Sequence, residues 1–373
     1  MESIHEIPIK YDRFPAGYVN DVRGWAFDRE TITKCSGQLL TLDMDFGSRC
    51  SLNCPYCFRR SNSVDTSGRT MSFEDSVNLI DEAKSLGLRS VKFLGAGEPL
   101  ENPRFLEFLK KLASDDIIPV IFTKTGILGD DRSARFLYGK DGITSSLDLA
   151  KCLFDLGASV VLGFNAFDAG IQAQMVGNGR DYMAKRDGAL LNLVQAGFAD
   201  SNPTRLALGV NPVTVQNIHE AAAIYEWARP RNMYAIVTPT MISGRAKGDA
   251  WRLMAPATES LIELYTRIYK YNLSTGLQTA STLESDGLSP YAGGHPCNQV
   301  ATGLYVTLSG VVLSCPGSEE LVEGNYWERA LENIWAQSRN YGRRGTFNCG
   351  CIAKEDRSIP QQLYQQVAVC LNV

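Results

Sequence analysis

Cys50-Ser51-Leu52-Asn53-Cys54-Pro55-Tyr56-Cys57 sets three cysteines at C-x3-C-x2-C spacing with no fourth beside them. Three thiolates can hold a cubic 4Fe-4S cluster by three of its irons and leave the fourth open. An electron-transfer cluster is normally closed by four cysteines. An open position is what a metal needs if it must also bind substrate. A zinc site completed by a distant fourth ligand is the competing reading of the same residues. The surroundings decide between them.

Those surroundings alternate between short apolar runs and helix-like stretches. Leu39–Asp45 reads as a strand, and the cysteine loop follows it directly. Further strands are expected at 90–94, 117–122, 159–163, 206–210 and 234–238, with Pro119 an objection to a central place for the third. Helices are expected at 72–86, 102–112, 146–156, 185–196 and 218–228, with a helical stretch at 258–271 after the sixth strand. In the first of these Phe73, Val77 and Ile80 share a face, Ser72 and Asp75 cap the start, and Gly87 ends it. Six strand-then-helix units predict an α/β fold, a parallel sheet wrapped by helices. In such barrels the active site lies at the C-terminal ends of the strands, where the cysteine loop falls. The expected organisation is an N-terminal segment at 1–37, the barrel at 38–250, a helical linker at 251–290 and a cysteine-rich domain at 291–373.

The motif is similar to the signature of the radical S-adenosylmethionine (SAM) enzymes, including the aromatic Tyr56 before the last cysteine. The resemblance implies that Cys50, Cys54 and Cys57 hold a 4Fe-4S cluster whose open iron is chelated by the amino and carboxylate groups of SAM. It implies a partial (β/α)6 TIM-like barrel as well. Gly95-Ala96-Gly97-Glu98-Pro99 follows the second strand and resembles the family's Gly-Gly-Glu-Pro motif, with Ala96 in place of the first of the glycine pair. This loop is implied to hold the SAM amino group, which nominates Gly95, Gly97 and Glu98. Thr123-Lys124-Thr125-Gly126 resembles a Thr-Asn-Gly turn with Lys124 replacing asparagine, and adds Thr123. Asn165 ends the fourth strand where relatives set a polar side chain against the SAM ribose; an Asx turn is the plain alternative. Arg180 and Lys185 are candidates for the SAM carboxylate, and Asn217 for a helix N-cap.

A second constellation lies near the C-terminus. Cys297 precedes a hairpin that turns at Ser309-Gly310 and ends in Cys315, and Cys349-Gly350-Cys351 completes four thiols. Four suffice for one fully ligated cluster or one structural zinc. The layout, with the helix expected around Asn333-Ile334-Trp335, resembles the SPASM or Twitch extension of radical SAM enzymes. It implies one auxiliary 4Fe-4S cluster at Cys297, Cys315, Cys349 and Cys351. Cys35, Cys152 and Cys370 are left over, and the default for each is a small buried hydrophobe. Cys35 and Cys370 are the candidates for a hydrogen-atom donor, which a radical epimerase needs.

The chain has 373 residues, 44% of them hydrophobic and 21% charged, an ordinary globular composition. A net charge of −4 gives no general attraction for nucleic acid or anionic membrane, and no apolar run has transmembrane length. The start lacks the form of a signal peptide. Ten cysteines without export signals read as ligands in a reducing cytoplasm. The resemblance implies reductive cleavage of SAM to a 5′-deoxyadenosyl radical, hydrogen abstraction from substrate, and a one-electron reductant such as flavodoxin or ferredoxin. Only about 37 residues precede the first strand. That is too few for the N-terminal recognition domain that peptide-modifying relatives often carry. Oxidation or epimerisation of a small carbohydrate-like natural-product intermediate is the expectation. A peptide-modifying maturase and a non-catalytic iron–sulfur or zinc protein are the alternatives.

Overall fold

The computed structural model describes residues 3–59, 68–124, 126–179, 181–355 and 357–372, apart from the side chains of residues 250 and 251. One nine-stranded sheet runs through them in the order β6-β5-β4-β3-β2-β1-β7-β8-β9. The parallel part is β1 (Thr41–Met44), β2 (Ser90–Phe93), β3 (Ile118–Thr123), β4 (Ser159–Gly163), β5 (Leu206–Val213) and β6 (Tyr234–Pro239). Helices follow at Phe73–Ser85, Phe105–Ser114, Ser146–Asp155, Tyr182–Gln195, Ile218–Ala228 and Thr258–Thr275. This is the α/β fold with a parallel sheet that the alternation predicts. Shorter helices at Asp131–Tyr138 and Ala169–Val176 are additions.

Alternation along the strands separates two cores, because successive side chains point to opposite faces. Leu42, Met44, Val91, Phe93, Ile121, Val160 and Leu162 face outward into the main core with the helices. There Phe46 and Phe108 lie 4.8 Å apart between ring centroids, and Phe93 and Phe105 4.9 Å apart. Val120, Val161, Ala207 and Ile236 face inward with Tyr234 and Tyr291. Trp25, from the N-terminal segment, closes that inner cluster by packing 5.3 Å from the ring of Phe122. In the helix Phe73–Ser85 the capping box is formed by Ser72 and Asp75. Its buried stripe is Ser76, Leu79, Ile80 and Ala83, so Phe73 and Val77 sit at the rim rather than on the centre of the face. Pro119 is tolerated in β3 because it pairs with Val91 on one side only, and pairing with β4 begins at Val120.

The hairpin near the C-terminus continues the barrel sheet. β7 (Gly303–Val306) lies parallel to β1, and β8 (Val311–Leu313) and β9 (Val322–Asn325) extend it antiparallel. The helix Leu331–Gln337 follows as expected around Trp335. Asp45, just past β1, fastens this join. It accepts from Arg59 at 3.2 Å, the Ala96 N–H at 2.8 Å, the Leu308 N–H at 3.1 Å and the Tyr305 hydroxyl. Among the described residues no helix is long and apolar enough to cross a membrane.

Asp45 and Arg59 are both buried, and removing one partner of a buried pair leaves an uncompensated charge. Asp45→Ala is expected to destabilise the chain by about 3–5 kcal/mol in urea unfolding. A loss under 1 kcal/mol would mean that the joint does not depend on this carboxylate.

Candidate active site

One cavity opens at the C-terminal ends of the strands, and both cysteine sets reach its wall. Cys50, Cys54 and Cys57 line it on one side, and Cys297, Cys315 and Cys351 on the other. Gly95, Gly97, Glu98, Thr123 and Tyr56 line it too. Among the described residues no three Cys, His, Asp or Glu side chains are drawn in as a single-ion metal site requires. A cubic cluster takes its thiolates on separate irons and so spreads them wider.

The cysteine loop is held by elements on every side. Glu98 donates its backbone N–H to the Arg49 carbonyl at 2.7 Å. Its carboxylate accepts from the backbone of Lys124 at 3.1 Å and of Leu100 at 3.3 Å. Glu98 therefore ties three loops together, and burial pushes its carboxyl up to about 7 against those hydrogen bonds. Glu101 accepts from the Ser51 N–H at 2.9 Å and hydroxyl at 2.6 Å. From the loop after β6, Arg245 reaches the Asn53 side chain at 2.6 Å and the Cys54 carbonyl at 3.2 Å. Leu52 packs on Val176 and Tyr182.

Lys124 stands at the centre of this half. Its Nζ donates to the Tyr56 hydroxyl at 2.8 Å and the Asn211 carbonyl at 3.1 Å. Burial holds its ammonium below the usual lysine value, opposed first by Cys54 and then by Cys57 and Cys50. Asn165 does not line the cavity. It sits behind Tyr56 and accepts from its hydroxyl at 3.2 Å. Lys185 pairs with Asp130 at 2.7 Å on the outside, and Arg180 lies outside the described residues. Asn217 makes no capping bond; its amide reaches the Asn165 carbonyl at 3.0 Å and that of Pro212 at 3.1 Å.

In the other half the thiols of Cys297, Cys315, Cys349 and Cys351 gather. Burial pushes Cys315 well up and Cys349 and Cys351 up to about 11, with Cys297 adding to each. Lys354 lies fully buried behind them, its ammonium lowered to about 8 by burial, which those thiols oppose. This donor set fits a metal–thiolate centre, because a bound metal itself deprotonates the thiols that coordinate it.

Between the two halves lies a polar pair that the sequence pattern did not single out. Asp43 in β1 and Lys92 in β2 are register neighbours pointing inward, 3.5 Å apart. Lys92 donates to Gln299 at 2.7 Å. The Asp43 Oδ1 atom is buried without a hydrogen-bond partner, and burial pushes the carboxyl up to about 6 despite Lys92. Trp25, Phe122 and Tyr291 form the apolar wall around the pair. The signal for it was the alternation of β1, which sets Asp43 on the same face as Asp45.

The two proposed hydrogen donors do not reach the cavity. Cys35 accepts from Arg89 at 3.0 Å beyond the opposite end of β1. Cys370 is exposed in a surface hollow against the helix Thr258–Thr275. The strand ends that deliver side chains to the site are distant from both, which corrects the expectation for each. Cys152 packs half-buried against the main core.

Residues 44–224 match the family model described as the Radical SAM superfamily. A probable GTP 3′,8-cyclase of Methanothermobacter marburgensis is 31% identical over 114 residues, 30% of this chain and 36% of that protein. Its namesake in Methanosarcina mazei is 34% identical over 126 residues, 32% of this chain and 37% of that protein. The chain thus spans about a third of the length of these curated relatives. The structure of Streptococcus suis SuiB bound to precursor peptide SuiA aligns with a TM-score of 0.55 at 16% identity, over 83% of this chain and 67% of that one. Native anSMEcpe with bound AdoMet aligns at 0.58 and 15%, over 89% and 97%. At such identities the likeness is one of fold.

A buried carboxyl with a raised value contributes fully to folding below its unfolded value and loses that contribution as the pH rises through its folded one. For Glu98 that window runs from 4.5 to about 7, a decline on the order of 3 kcal/mol. Glu98→Gln is expected to remove this decline from the cofactor-free chain. Urea midpoints across that range check it, and identical pH slopes in the two proteins would refute it.

Proposed function

We propose that this chain, a radical SAM enzyme by the domain of its residues 44–224, oxidises a hydroxyl-bearing small molecule held between two cysteine-bound clusters. The observation that carries the proposal is the single cavity with both cysteine sets on its wall. Cys50, Cys54 and Cys57 would hold the SAM-binding 4Fe-4S cluster, and Cys297, Cys315, Cys349 and Cys351 an auxiliary one. When bound, the first cluster and SAM supply a 5′-deoxyadenosyl radical that takes a hydrogen atom from an unactivated C–H bond.

The remaining work falls to this chain's side chains. Lys124 is the cation on the cavity wall beside the first set, and its ammonium would meet the SAM carboxylate. Gly95 and Gly97 let the loop after β2 lie directly against Asp45 and the Gly47 and Arg49 carbonyls, and their backbone would border the amino end. Asp43 Oδ1 would accept from a substrate hydroxyl, and Lys92 has donor capacity left to give to the same oxygen. Trp25, Phe122 and Tyr291 would exclude water from the radical. Asp43 would also take up the proton that net oxidation of the hydroxyl releases, and an auxiliary cluster held by Cys297, Cys315, Cys349 and Cys351 would supply an acceptor for the accompanying electron. A peptide is the second reading, because SuiB, whose fold this chain shares, binds a precursor peptide. The Asp43–Lys92 pair favours the small polyol.

Anaerobic reconstitution is expected to give about eight irons per chain, two cubic clusters, and dithionite with SAM to give 5′-deoxyadenosine. Cys54→Ala should lose that product and about four irons. Bound zinc without SAM cleavage would overturn the assignment. Lys124→Met should raise KM for SAM roughly tenfold or more, as loss of a charged hydrogen bond does; an unchanged KM would remove Lys124 from SAM binding. With a panel of polyols and amino sugars, oxidation predicts product free of solvent deuterium at carbon, and deuterium uptake would assign epimerisation instead.

A further inference from the structure

Lys354 is a fully buried lysine with no carboxylate among the charges that bear on it. Its Nζ donates to the Thr238 hydroxyl near the end of β6 and stands 5.1 Å from the centroid of the Tyr291 ring. Its backbone N–H donates to the Cys351 carbonyl at 3.1 Å, which ties it to the second cysteine set, and the groups that act on its charge are the thiols of Cys351, Cys297 and Cys315. Burying an ammonium without an anion is costly, and neither a hydroxyl nor a ring offers a full negative charge. Thiolates bound to metal do. Lys92 differs, since its charge is already matched by Asp43. Among the described residues Lys354, behind the second cysteine set, thus has its charge faced by thiols and by no carboxylate.

We propose that Lys354 is a positioning residue that sets the charge balance of the second metal–thiolate centre and makes that centre easier to reduce. The inference rests on the two-cluster reading above. Each electron added to a cluster held by four thiolates increases its negative charge. A fixed ammonium in a low-dielectric wall therefore stabilises the reduced form more than the oxidised one. The centre gains one electron and Lys354 loses none; the ammonium acts only through its field. Zinc, which has no redox chemistry, would take no such benefit from it.

The test is a redox titration of the full reconstituted chain, followed by EPR, for wild type, Lys354→Met, Lys354→Gln and Lys354→Arg, with metal counted on the same samples. At a fixed solution potential the reduced-to-oxidised ratio of the second centre should fall at least tenfold in the Met and Gln variants. That is a shift of ~59 mV for a one-electron couple. Lys354→Arg should stay near wild type, and the first centre should not move. Both centres loaded and unshifted in the neutral variants would overturn the role of Lys354 and leave two clusters standing. About four irons in wild type, or zinc in the second set, would overturn the two-cluster reading and this inference with it. If the neutral variants fail to load the second centre, retention in Lys354→Arg supports the need for charge. Loss in all three assigns Lys354 to packing and overturns the proposal.

Discussion

The Asp45 carboxylate is the joint on which the site depends. It stands one residue past β1 and collects four donors from three separate pieces of chain: Arg59 beyond the cysteine loop, Ala96 in the loop after β2, and Tyr305 and Leu308 in and after β7. Two of these belong to the half that carries the first three cysteines, and two to the strand that brings in the second set. A carboxylate can serve all four because its two oxygens offer about four lone pairs. The guanidinium of Arg59, 5.1 Å from the Tyr305 ring centroid, supplies the counter-charge that lets Asp45 stay buried. Arg59 and the three other donors together tie the end of β1 to the loop after β2 and to β7.

The same logic of matched charge runs through the cavity. Lys124 faces the first thiol set, Lys92 faces Asp43, and Lys354 backs the second set. Three lysines in one interior would be prohibitive if each were isolated, because an unpaired charge loses its solvation on burial. They become tolerable where anions are concentrated. Lys124 and Lys354 would offset the charge of thiolates bound to metal, whereas in the metal-free chain burial pushes the thiols towards the neutral form.

Much of the architecture was legible because it rests on local pattern. The short apolar runs of β4 and β6, the capping box at Ser72 and the helix Ile218–Ala228 are each written in a few adjacent residues. The cysteine motif was legible for the same reason. What stayed hidden depends on contacts distant in sequence. The parallel pairing of β7 with β1 joins residues some 260 positions apart, so the hairpin read as an appendage rather than as the sheet's continuation. Trp25 reached the cavity from a segment with no regular pattern. Lys124 was noticed only as a departure from a turn, because its meaning lies in the three thiols opposite it. Cys35 and Cys370 were nominated as cysteines outside the expected helices, but Cys35 precedes β1 and so lies at the end of the strand opposite the site.

Ala96 shows how a departure from a familiar motif can leave its geometry intact. A Cβ on Gly95 would overlap the Asp45 carboxylate, and one on Gly97 would overlap the backbone carbonyls of Gly47 and Arg49. At these two positions the loop after β2 passes so close to the end of β1 and the start of the cysteine loop that no side chain fits. Ala96 lies between them. Its N–H donates to Asp45, a bond any residue but proline can make, and its methyl group is buried. The requirement for glycine therefore falls on the residues that flank Ala96. The position that differs is the one at which the structure asks only for a backbone donor and a small side chain.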